Sequence, residues 1–230
     1  MSPEAYVAML EAALRPRADA SEARGMRAYL LDQFDFLGIR APLRRQAIQA
    51  LPPVRWTTSA PLLDIAQRLW ALPEREFRYT AIDLLRRHYR LLDAQQLPEL
   101  LALLQRDAWW ETVDGLTAVI GRVILQQIRS GNHVAQRICD DWIVDPNYWV
   151  RRCAMLHQLG WRLETDAARL FADAQRLSAE KEFFIRKAIG WALRDYARWN
   201  PDGVRQFLAR QDLALSALTR REASKHLLPS

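Results

Sequence analysis

Trp110 and Asp114 stand four residues apart, so on a helix an indole and a carboxylate share one face, one turn apart. Trp191 and Arg152 come from later segments of similar character. Three stretches, Trp109 to Asp114, Trp149 to Arg152 and Lys181 to Trp191, read as helical and set aromatic rings beside charges. A plain core helix avoids that mixture. A face with two indoles, a guanidinium and one carboxylate suits an anionic polymer that carries a sugar and a leaving base. That points to DNA, and to chemistry on it.

The chemistry that fits is scission of an N-glycosidic bond. Such scission generates an oxocarbenium-like sugar, which a carboxylate stabilises while positioning the attacking water. Indole faces attract cationic character. An arginine can hold a flanking phosphate. A base that is already alkylated and positively charged leaves readily, so a protein acid is less necessary, and this set offers no obvious one.

Each residue alone has a plainer reading. Trp56, Trp70, Trp142, Trp161 and Trp199 read as core, and so does Trp109. Asp114 alone would be a cap or an ion-pair partner. Arg152 alone would be a solvated charge or the partner of an aspartate.

The elements that must position these residues are helices. Apolar residues recur at three- and four-residue spacings, glycines number only 8, and strand-like alternation is scarce. Helices are expected at 3–15, 21–36, 42–50, 59–71, 74–91, 95–106, 109–129, 133–143, 147–160, 166–178, 181–198, 201–210 and 215–227, separated by short Gly, Pro and Asn turns. A weak repeat runs through Ala47, Ala81, Ala118, Ala154 and Ala188, with steps of 34, 37, 36 and 34 residues. That period, built from helix pairs, marks an α-solenoid whose second helices line a concave face. Asp114 lies four before Ala118 and Trp191 three after Ala188, an offset close to two helical turns, so both project in similar directions. Arg152 joins that face if Cys153, and not Ala154, holds the small position. The expectation is one domain over 1–230, all-α, with the first forty and last fifteen residues as caps.

The 230 residues are half apolar, which excludes a disordered tail. The net charge is +6 and arginine carries almost all of the basic excess. Arginine suits phosphate, although an arginine-favouring genome would give the same composition. Cys139 and Cys153 are the only cysteines, and the four histidines are scattered, so neither a zinc site nor a disulfide framework is expected. The N-terminus lacks a signal-peptide pattern and no apolar run is long enough to span a bilayer; a soluble cytoplasmic protein, and no membrane partner, is expected.

At these residues the sequence resembles the AlkD-type DNA alkylation-repair glycosylases, a family of HEAT-like repeat proteins. The resemblance is carried by Tyr29, Phe34 to Arg45, Leu69 to Phe77, Trp109 to Asp114, Asp145 to Arg152, Lys181 to Trp191 and Leu218 to His226. It covers nearly the whole chain and implies a right-handed solenoid with a concave DNA-binding face. It also implies hydrolytic excision of positively charged N3- and N7-alkylated purines, such as 3-methyladenine and 7-methylguanine, from double-stranded DNA in base excision repair. No metal, cofactor or base flipping is implied. By the resemblance, Asp114 is the catalytic carboxylate, Trp110 and Trp191 contact the lesion's deoxyribose, and Arg152 holds the backbone. Tyr29 matches a position near the DNA. Arg44, Arg45, Arg186, Lys187, Arg220, Arg221 and Lys225 are candidate phosphate contacts. Arg40 falls where relatives carry a neutral polar side chain, which leaves its role open. Lys187 adjoins the site without suggesting a Schiff-base lyase, so a monofunctional glycosylase is expected, acting as a monomer. Two rivals stay open: a non-catalytic HEAT-like DNA-binding module, and a protein-interaction solenoid.

Overall fold

Local sequence signals start most of the helices. Pro3, Pro42, Pro98 and Pro201 occupy first-turn positions, where a missing N–H costs nothing. Ser2, Asp19, Asn147, Asp166, Glu182, Asn200 and Ser216 each accept a hydrogen bond from a first-turn N–H. The computed structural model describes residues 1–227. Among them it contains the helices α1 (Pro3–Leu14), α2 (Ala20–Tyr29), α3 (Ala41–Gln49), α4 (Ser59–Ala71), α5 (Arg75–Arg87), α6 (Leu97–Gln105), α7 (Trp110–Arg129), α8 (Val134–Ile138), α9 (Tyr148–Leu156), α10 (Ala167–Arg176), α11 (Phe183–Tyr196), α12 (Pro201–Ala209) and α13 (Ala217–Ala223). None of these is long and apolar enough to cross a membrane.

The expected all-α helical repeat is present. Its second helices, α3, α5, α7, α9, α11 and α13, begin at residues 41, 75, 110, 148, 183 and 217, steps of 34, 35, 38, 35 and 34. Ala47, Ala81, Ala154 and Ala188 are buried as the repeat requires, whereas Ala118 is only half-buried. Counted from the helix starts, Leu116 takes the equivalent place in α7 and is buried.

The chain divides into two compact units, Met1–Leu92 and Asp93–Ser230. In the first, α4 packs on α5 and α1, and α3 packs on α1 and α5. Its core is Leu10, Leu14, Leu62, Ile65, Leu69, Trp70, Phe77 and Leu85, all inaccessible to solvent. Removing such side chains from water stabilises by about 1.5–3 kcal/mol each.

Several expected helices end early, among them those over 74–91, 133–143, 147–160 and 215–227, and the one over 21–36 by the most. Residues 21–36 were expected to be helical, but α2 stops at Tyr29, and Leu31 and Asp32 take left-handed φ of 59° and 56°. The segment after them is extended because the buried Glu76 carboxylate gathers the N–H groups of Leu37, Gly38 and Ile39 at 3.0, 2.9 and 3.0 Å. Gly38 has φ +87°, and a Cβ there would lie 2.0 Å from the Asp19 carbonyl oxygen, so only glycine fits.

In the second unit α9 is the enclosed helix. It packs against α6, α7, α10 and α11, while α11 also packs on α13 and α12. Every residue of α9 from Trp149 to Leu156 except Arg151 is buried. Trp70, Trp142 and Trp161 are core residues as expected. Trp199 is not: it is 40% exposed with the Arg162 guanidinium over its ring. Trp56 is half-buried, edge-on to Tyr6, and Trp109 is half-buried as well.

Candidate active site

Three helix starts set the site. The Trp109 carbonyl accepts from Val113 N (3.0 Å) and Thr112 Oγ1 (3.1 Å), which places Trp110 in the first turn of α7 and Asp114 in the second. Asp145 Oδ1 accepts from Asn147 N at 2.7 Å, and Asn147 Oδ1 accepts from Trp149 N at 2.9 Å, fixing where α9 begins. Glu182 Oε1 accepts from Phe184 N at the start of α11. Asp114, Arg152 and Lys187 are therefore the fifth residues of α7, α9 and α11. Equal places in successive repeats face the same way, so the three cluster.

Asp114 and Arg152 meet through two parallel hydrogen bonds. Arg152 Nε donates to Oδ1 at 2.8 Å and Nη2 to Oδ2 at 2.7 Å. Arg152 Nη1 donates to the Phe184 carbonyl at 2.6 Å. The guanidinium is thus matched along its whole edge, as a buried charge must be. The pair is asymmetric: the Arg152 side chain is 2% exposed and that of Asp114 26%. The carboxylate, not the guanidinium, faces solvent. Arg152 was expected to hold the DNA backbone; its side chain lies instead beneath Asp114, where it fixes the carboxylate's orientation.

Trp191 lies beside this pair, half-buried, with three cations near its ring: Arg152 at 5.2 Å, Lys187 at 5.4 Å and Arg194 at 5.9 Å. Arg194 Nη1 donates to Glu222 Oε2 at 3.1 Å, and Lys225 Nζ donates to both Glu222 oxygens at 2.8 Å. The bond from Lys225 leads the influences that hold the Glu222 carboxyl below the usual range. Glu222 approaches this closely because Gly190 has no side chain; a Cβ there would lie 2.5 Å from Glu222 Cβ. Trp110 is half-buried one turn before Asp114 on the same helix.

Aromatic rings close one side of the site. Phe184 packs 5.5 Å from Trp109 and 4.8 Å from Trp149, and Trp109 lies 6.0 Å from Trp149, all between ring centroids. The mixed aromatic and charged segments are therefore a wall as well as a face. Phe184 and Glu222 were absent from the sequence-based site. Their signals were present, in the first turn of an aromatic-rich helix and in a carboxylate flanked by Arg220, Arg221 and Lys225.

The residues expected to contact phosphate divide. In the second unit, Arg186 Nε donates to the Glu180 carbonyl at 2.8 Å, Arg220 to the Leu208 carbonyl, and Lys225 to Glu222. Arg221 is exposed and Lys187 is half-buried beside Trp191. In the first unit, Tyr29 is 72% exposed. Arg44 is buried, donating to Thr80 Oγ1 at 3.1 Å and Asp83 Oδ2 at 2.8 Å, which leaves it no open face for a phosphate. Arg45 is exposed and shares Asp83. Arg40 is held by Glu22 through bonds of 2.8 and 3.0 Å.

Chemically, the cluster offers a rigid carboxylate with open lone pairs, an adjacent indole and an aromatic wall. Such a set can stabilise a cation that forms on a substrate and accept a proton from water.

A search of curated protein sequences returns no match. Among solved structures, the chain is similar to a predicted DNA alkylation repair enzyme from Enterococcus faecalis, with 29% identity and a TM-score of 0.79 over 93% of this chain and 98% of that one. It shares its fold with smu.31 from Streptococcus mutans UA159 (18% identity, TM-score 0.63, 98% and 100% covered) and with AlkD2 from Streptococcus mutans (17%, 0.64, 99% and 100%). The family model described as DNA alkylation repair enzyme matches residues 10–227, and the chain belongs to that family.

Proposed function

We propose that this protein is a monofunctional DNA glycosylase that removes positively charged N3- and N7-alkylated purines, such as 3-methyladenine and 7-methylguanine, from duplex DNA. The observation that carries the proposal is the asymmetry of the Asp114–Arg152 pair. A buried guanidinium fixes both carboxylate oxygens while the carboxylate stays open to solvent. A carboxylate serving only as a structural clamp has no need to be the more exposed partner.

In this reading the C1′–N bond of the lesion breaks and its electron pair leaves with the base, which becomes neutral. The oxocarbenium sugar is stabilised by Asp114 and by the indoles of Trp110 and Trp191. Water attacks C1′ and gives its proton to Asp114, leaving an abasic site. The departing base gains neutrality without a protein acid, so it need not enter a pocket, and base flipping is not required. Double-stranded DNA is the partner, bound by a monomer.

A second reading has its own observation. Both oxygens of Asp114 already accept from Arg152, as they would in a purely structural tie between α7 and α9 of a non-catalytic DNA-binding module. The test is release of free base from methylated duplex by the wild type and by Asp114→Asn. Release by the wild type alone, with equal DNA affinity for both, supports the glycosylase. Salt-sensitive binding with no release by either supports the binding module.

A further inference from the structure

Between α3 and α5 in the first unit lies a cleft of about 280 Å³ lined by Arg45, Ile48, Thr80, Asp83, Arg86 and Arg87, among others. Its charges do not balance. Asp83 is shared by two guanidiniums, accepting from Arg44 at 2.8 Å and Arg45 at 3.1 Å. Arg86 and Arg87 are exposed, and neither has a carboxylate partner among the described residues. Three arginines thus border the cleft against one carboxylate that Arg44 already engages from beneath.

Many arginines elsewhere in this chain are paired with carboxylates. Arg15, Arg40, Arg68, Arg129, Arg205 and Arg210 each have a carboxylate within reach. Arg86 and Arg87 lack such a partner among the described residues and border a concavity, and the planar fork of a guanidinium favours a bidentate acceptor such as phosphate. The apolar floor supplied by Ile48 and Leu84 accommodates the sugar between two phosphates better than it accommodates a free, fully hydrated anion.

We propose that this cleft is a phosphodiester-binding site for the DNA backbone, with Arg86 and Arg87 as its principal contacts and Arg45 as a third. The proposal rests on the DNA reading above and adds an anchoring point that lies outside the Asp114 cluster.

The test is equilibrium binding of a duplex across a salt series. Taking away one protein–phosphate ion pair makes the slope of log affinity against log salt shallower by about one. Arg86→Ala/Arg87→Ala is expected to make it shallower by about two and to weaken binding about tenfold or more at low salt. A double variant, Arg205→Ala/Arg210→Ala, removes the same charge from paired arginines and is expected to leave the slope unchanged. Circular dichroism and thermal melting confirm that both variants fold. An unchanged slope in Arg86→Ala/Arg87→Ala, or an equal change in both variants, overturns the proposal. Inorganic phosphate is titrated in parallel. Its saturable, arginine-dependent binding at low concentration, with an unaltered duplex slope, would mark a free-phosphate site and overturn it too. Binding requires no turnover. A wild type that releases no base while the slopes still differ refutes the glycosylase and leaves the cleft standing.

Discussion

Asp114 and Arg152, 38 residues apart, occupy the same position of α7 and α9 and meet through hydrogen bonds of 2.8 and 2.7 Å. The repeat therefore does more than stack helices. It carries equivalent places of neighbouring units into register, and here those places hold opposite charges. The geometry makes Arg152 the residue that orients Asp114.

Asp114→Asn keeps one acceptor for Arg152 but loses the negative charge that stabilises the cation. Base release is expected to fall by about 10²–10³-fold, the usual cost of losing one key electrostatic group. DNA affinity is expected to change less than about threefold, since one charge of this size is a small part of phosphate-driven binding. Single-turnover release from methylated duplex, beside a binding isotherm, measures both. A comparable drop in affinity would contradict the catalytic role.

Arg152→Ala leaves Asp114 without its donor and removes the side-chain hydrogen bond to the Phe184 carbonyl. Removing one member of a buried pair costs about 3–5 kcal/mol, and the solvent exposure of Asp114 reduces that to about 1–3 kcal/mol. The melting temperature is expected to drop by about 2–4 °C for each kcal/mol. Arg152→Lys restores the charge but not the two-pronged geometry, so it is expected to recover more stability than activity. Equal recovery of both would show that orientation of the carboxylate is irrelevant to turnover.

Two glycines allow close helix packing, and they differ in what a methyl group would meet. At Gly121 a Cβ would lie 2.0 Å from the His157 carbonyl oxygen, a rigid backbone atom. At Gly190 it would lie 2.5 Å from the side-chain Cβ of Glu222 and 3.1 Å from the Thr219 carbonyl oxygen. Overpacking costs about 1–3 kcal/mol, occasionally more. Gly121→Ala is expected to destabilise more in thermal melts. Gly190→Ala is expected to reduce base release more, because it displaces the carboxylate that holds Arg194 beside Trp191.

His157 gives the pH prediction. It is buried, its Nδ1 bonds to the Ala154 carbonyl at 2.6 Å, and burial pulls its pKa from 6.5 down to about 4. The unfolded chain therefore binds a proton that the folded chain refuses between these values. The histidine's contribution is full above pH 6.5 and is lost as the pH falls to 4, about 3 kcal/mol in all. Asp173 acts oppositely: burial lifts it from 3.8 to about 6, so its contribution grows as the pH falls through 6. The wild-type curve alone mixes the two. The difference between the wild type and His157→Gln, in urea titrations from pH 7 to pH 4, isolates the histidine and is expected to change in the histidine's direction. A pH-independent difference would rule out this titration.

The sequence by itself determined what depends on neighbours along the chain. Capping residues such as Asn147 and Ser216, first-turn prolines and three-to-four spacing are local, and they set the helical repeat and the starts of α7, α9 and α11. The one-turn relation of Trp110 to Asp114 follows from helix geometry alone. The tertiary structure decided burial, because burial depends on how many distant segments enclose a residue. Nothing adjacent to Arg152 in sequence shows that α9 is enclosed by four helices, and that enclosure turns an expected backbone contact into the support of Asp114. Arg44 was removed from the expected phosphate contacts in the same way, by Thr80 and Asp83 far along the chain. The helical pattern after Ala20 ended at Tyr29, where Leu31 and Asp32 turn left-handed, and the distant Glu76 carboxylate holds the extended segment beyond it through the N–H groups of Leu37, Gly38 and Ile39.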